Sequence, residues 1–63
     1  MQTNVKVKLV GTNGNAFMIL GKVMKAMKKA GIDQEIIDKY STEATSGDYD
    51  HLLMTTMKYV EVS

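Results

Sequence analysis

Val5-Lys6-Val7-Lys8-Leu9-Val10-Gly11-Thr12-Asn13-Gly14-Asn15-Ala16-Phe17 decides the fold, because within these residues the hydrophobic period changes from two to about 3.6. From Val5 to Val10 apolar and charged residues alternate. Val5, Val7 and Leu9 point one way and Lys6 and Lys8 the other, the pattern of a half-buried strand with a charged outer face. Gly11-Thr12-Asn13-Gly14 interrupts it. Asn-Gly tolerates positive φ and marks a tight turn. No second alternating run follows, so the turn leads from a strand into a helix.

The helix is expected over Asn15 to Ala30. At about 100° per residue, Phe17, Leu20, Val23, Met24 and Met27 share one arc, with Ala16, Ile19 and Ala30 at its edges. Lys22, Lys25, Lys28 and Lys29 fall opposite, together with Met18. Asn13 or Asn15 suits the N-cap and Gly31 the position just past the C-cap. A second helix starts at Asp33, with Ile32 and Ile37 at hydrophobic-staple positions. Ile36, Ile37, Tyr40 and Ala44 form its apolar stripe, and Thr45-Ser46-Gly47 ends it. Asp48 and Asp50 then open a third helix, where the dipole favours acids. Its stripe is Tyr49, Leu52, Leu53, Thr56 and Met57. Lys58 to Ser63 alternates again, with Val60 and Val62 to one side and Tyr59 and Glu61 to the other. No Gly, Pro or Asn marks the boundary near residues 55–58.

The order β-α-α-α-β predicts a small α+β domain, residues 1–63, with its two terminal strands paired and three helices on one face. Glu61 could then face Lys6 or Lys8. The expected core is Val5, Val7, Leu9, Phe17, Leu20, Met24, Ile37, Leu53 and Val60. In that reading Phe17→Ala costs about 3–5 kcal/mol, as for other buried large-to-small changes.

Composition bounds the function. A chain of 63 residues buries only about 60% of its unfolded surface, leaving little room for a deep cleft. Cysteine is absent, which removes disulfides and thiolate chemistry, and His51 is the single histidine, which weighs against a one-chain histidine metal site. The net charge is +1, with all eight basic residues lysine. That is no nucleic-acid signature, and arginine, the preferred bidentate reader of phosphate and guanine, is missing. No apolar run approaches the roughly 20 residues of a membrane span. Met1 leads directly into a strand-like alternation, so no signal peptide and a cytoplasmic location are expected.

Three constellations could carry chemistry. Gly11 to Asn15, at a strand-to-helix junction, could present backbone N–H groups to a phosphate. It lacks the Gly-Lys-Ser/Thr of a phosphate-binding loop and the third glycine of a dinucleotide fingerprint, so a plain turn with an N-cap is favoured. Glu43, Asp48, Asp50 and His51 gather donors near one helix start, but supply too few ligands for a metal. Dipole complementation, with capping by Thr45 or Ser46, accounts for them. The lysine stripe Lys22, Lys25, Lys29, with Lys28 beside it, could meet nucleic acid or an acidic protein, or be a solvated face. Six methionines are present. Met24, Met27 and Met57 fall on core arcs. Met18 and Met54 do not, and with Tyr59 they could form an apolar patch.

Gly11-Thr12-Asn13-Gly14-Asn15-Ala16-Phe17 and Glu43-Ala44-Thr45-Ser46-Gly47-Asp48-Tyr49-Asp50-His51-Leu52-Leu53 resemble segments of a family of short, uncharacterised bacterial and phage proteins. That family carries Gly-x-Asn/Asp-Gly-Asn-Ala-Phe after a first strand and Ser-Gly-Asp-Tyr-Asp-His-Leu-Leu before a last one. The resemblance implies a natural bacterial or phage domain and brings no catalytic residue or cofactor with it. The expected function is a non-enzymatic module that binds a protein partner or its own copy. Its candidate surface is Met18, Lys22, Lys25, Lys29, Met54 and Tyr59. The alternative is nucleic-acid binding through the lysines of the first helix. A small phosphate- or metal-dependent activity ranks third.

Overall fold

The computed structural model describes residues 3–9 and 14–62. In order they form β1 (Lys6–Val7), α1 (Ala16–Lys29), α2 (Gln34–Ala44), α3 (Tyr49–Tyr59) and β2 (Glu61–Val62). This is the expected β-α-α-α-β arrangement. The two strands pair in parallel, Lys6 opposite Glu61 and Val7 opposite Val62. Parallel strands need a long crossover, and the three helices provide it. Lys6 Nζ lies 3.8 Å from Glu61 Oε2, an exposed ion pair that adds little stability.

Local chemistry sets most element ends. Asn15 caps α1, its Oδ1 accepting from the Phe17 N–H at 2.8 Å. At the other end Gly31 adopts φ 81°. The Ile32 N–H then reaches Met27 O and the Gly31 N–H reaches Lys28 O, the paired bonds of a Schellman stop. Asp33 precedes α2 without a side-chain cap bond. Ile32 and Ile37 pack on the core on either side of it.

The core unites Val5, Val7, Ile19, Val23, Met27, Ile37, Tyr40, Ala44, Leu52, Tyr59 and Val60. Two tyrosines supply its aromatic bulk. The rings of Tyr40 and Tyr59 meet edge-on with centroids 5.4 Å apart. Their hydroxyls find partners in Thr56 Oγ1 at 2.7 Å and Glu43 Oε1 at 3.1 Å, so both rings are buried with their polar ends satisfied.

This packing corrects several expectations. Phe17 is 83% exposed, not central. The buried line on α1 is Ile19, Val23 and Met27, so the inward direction is turned by roughly 50° from the arc centred on Leu20 and Met27. Tyr40 and Tyr59, both fully buried, supply the core's aromatic rings in its place. Leu9, Leu20, Met24 and Leu53 are partly buried against the core. Met57 is exposed, because the buried stripe of α3 runs through Leu52, Thr55, Thr56 and Tyr59. Tyr59 is the last residue of α3 and not part of the strand. β1 is shorter than Val5–Val10, and Val10 lies outside the described residues.

Candidate functional site

An apolar hollow opens where the first turn of α1 meets the turn between α2 and α3. Its volume is about 240 Å³, and Ala16, Phe17, Leu20, Ala44, Tyr49 and Leu52 line it, with Thr45, Gly47 and Asp48 at the rim. Ala44 and Leu52 are buried and form its floor. Phe17 and Tyr49 stand at its sides, 83% and 42% exposed. Asn15 fixes the backbone at Phe17 through its cap bond. A Cβ on Gly14 would lie 3.6 Å from the Tyr49 hydroxyl, so the segment entering α1 passes close to that ring. Ala16, Phe17, Leu20, Ala44 and Leu52 offer apolar contact, and Thr45, Asp48 and the Tyr49 hydroxyl add polar groups to the lining. The hollow can hold an apolar side chain.

The polar cluster beside the hollow holds a helix–helix turn together. Asp48, the N-cap of α3, accepts from the His51 N–H through Oδ1 at 2.9 Å. It makes the cap expected of Thr45 or Ser46. Those two hydroxyls instead turn back on the end of α2, Thr45 Oγ1 donating to Ser41 O and Ser46 Oγ to Glu43 O, each at 2.7 Å. The His51 ring folds under the same turn. Its Nε2 lies 2.8 Å from Glu43 O, which can only accept, so this nitrogen carries the proton. Asp50 is exposed. Among the described residues no group of three or more His, Cys, Asp or Glu side chains is placed to hold a metal.

The Glu43 carboxylate ties α2 to α3. It accepts from Lys58 Nζ at 3.0 Å and from the Tyr59 hydroxyl at 3.1 Å. The hydrogen bond from Lys58 is the main reason its carboxyl sits below the usual value. The same bond raises the Lys58 ammonium. Burial foremost, then the bond to Glu43, raises the Tyr59 phenol. Burial likewise raises Tyr40, against an opposing effect of its bond to Thr56.

The residues expected to form one interaction surface divide. Met18, Lys22, Lys25 and Lys29 lie on the exposed side of α1. Met54 is exposed on α3, one turn from exposed Met57. Tyr59 is fully buried and leaves the surface, because a helix and not a strand carries it inward. Of the proposed phosphate turn, residues 11–13 lie outside the described residues, and Asn15 is a cap. Sequence reasoning missed Phe17 and Tyr49 as surface residues. A signal existed: Ile19, Val23 and Met27 form an unbroken i, i+4, i+8 line that competes with the arc through Phe17. No helix among the described residues is long and apolar enough to cross a membrane. Compared with protein-family models, curated proteins and solved structures, the chain matches none.

Proposed function

We propose that the protein is a non-enzymatic interaction module of bacterial or phage origin, and that its docking surface is the hollow flanked by Phe17 and Tyr49. The observation that carries this reading is the exposure of the single phenylalanine, 83% of it open to solvent beside an apolar recess. Aromatic side chains next to a recess are the usual anchors of protein interfaces. Leaving one in water forgoes its burial energy, about 25 cal/mol per Å² of apolar surface. The test is affinity capture with the tagged chain and with Phe17→Ser. A partner retained by the parent and lost by the variant supports the reading, provided both give the same circular dichroism and melting temperature. Equal capture by both refutes it.

A second reading has one observation in its favour. Between residues 16 and 29 there are four lysines and no acid, and this side of α1 is exposed. Such a face could follow a nucleic-acid backbone. A gel shift at two salt concentrations checks it, since phosphate contacts make binding fall steeply with salt.

A further inference from the structure

Gly21 has no steric reason within the described chain. It lies mid-way along α1, a Cβ placed on it would meet nothing within 4 Å, and it is exposed. Glycine weakens a helix interior relative to alanine. What a bare Cα provides is close approach by another backbone. The position of Gly21 is informative. Phe17, Gly21, Lys25 and Lys28 follow one another at spacings of four, four and three residues. They therefore fall in one stripe along the exposed side of α1.

Two segments of the chain carry charge of opposite sign. Residues 16–29 hold four lysines and no acid, whereas residues 33–59 hold six acids against two lysines. At the hollow, the rim carries Asp48, and Asp50 follows in the first turn of α3. An occupant suited to this site brings an apolar side chain, a helix that can approach closely, and cations on the same face. α1 itself has all three.

Building on the docking reading above, we propose that the occupant is a second copy of this chain. In a two-fold arrangement, α1 of each copy lies against the hollow of the other. The helices cross near Gly21, and Lys25 and Lys28 approach the partner's acidic rim. Two-fold symmetry makes each of these contacts twice.

Sedimentation equilibrium of the full chain, from micromolar to millimolar concentration, tests the proposal. The expected result is a reversible dimer that Phe17→Ser and Gly21→Gln each weaken at least tenfold. Dilute, monomeric Gly21→Gln should melt no lower than dilute parent, which separates lost association from lost folding. Lys28→Glu and Asp50→Lys should each weaken the dimer several-fold, and the double variant should recover most of that loss. A parent that stays monomeric at millimolar concentration overturns the second copy as occupant. So does a dimer indifferent to Phe17→Ser and Gly21→Gln. If a monomeric parent captures another protein and Phe17→Ser does not, the docking reading stands and only the self-association fails.

Discussion

The Tyr40 hydroxyl donates to Thr56 Oγ1 across 2.7 Å of fully buried core. The direction follows from the second bond of Thr56, whose own proton goes to Leu52 O at 2.8 Å. The two ends of this bond are therefore unequal. Thr56→Val strands a buried phenol and should cost about 1–3 kcal/mol, whereas Tyr40→Phe leaves Thr56 satisfied and should cost about 1 kcal/mol or less. In urea denaturation the double variant should be more stable than Thr56→Val alone.

Phe17 and Val23 should exchange the roles their sizes suggest. Phe17→Ala removes an exposed ring and should change stability by no more than about 0.5 kcal/mol. Val23 is wholly buried, and Val23→Ala should cost about 1–3 kcal/mol through lost burial and the cavity left behind. Thermal melts of the two variants decide the matter, and a large drop for Phe17→Ala would place that ring in the core after all.

Gly47 is required by space. A Cβ there would lie 2.8 Å from Cγ of the His51 ring and 2.9 Å from its Cβ and Cδ2. Gly47→Ala must therefore push the ring from its place against Glu43 O. The expected cost is about 1–3 kcal/mol, as for other overpacked sites. The His51 ring resonances should shift in the same variant, and unchanged resonances would show that the turn accommodates a methyl group.

The Glu43–Lys58 pair should shape the pH dependence of stability. The folded Glu43 carboxyl lies below its ordinary value of 4.5. Its contribution is present above that pH and is lost as pH falls through the folded value. Lys58 is raised above 10.5, so its contribution is present below that pH and is lost as pH rises through the folded value. Lys58→Met should flatten both the acid and the alkaline limb of a stability–pH profile. A profile superimposable on the parent's would show that the bond contributes nothing in solution.

How legible each feature was depends on where its cause lies in the sequence. The cap and the stop of α1 are written beside the helix they end: the stop at Gly31 was readable, and the cap was narrowed to Asn13 or Asn15, of which Asn15 makes the bond. The end of α3 was not. The Tyr59 carbonyl is held by the Thr3 N–H at 3.0 Å and by Thr3 Oγ1 at 2.7 Å. The group that stops the helix thus sits 56 positions away, beyond any local signal. The roll of α1 was only half readable, for a related reason. Periodicity gives a stripe, but which of two overlapping stripes turns inward depends on what fills the core. Here Tyr40 and Tyr59 fill it from α2 and α3. The candidate site followed from that roll, and the sequence reading placed Phe17 on the wrong side of the surface.

The pairing of β1 with β2 bears on the order in which the molecule assembles. Its bonds join residues near positions 3–7 to residues near 59–62, whereas each helix forms from neighbours. Closing so long a loop is entropically unfavourable until the intervening helices have packed. The parallel ladder should therefore be the last part to form and the first to open. Weakening it, for example by Val7→Ala, should then speed unfolding and leave the folding rate nearly unchanged.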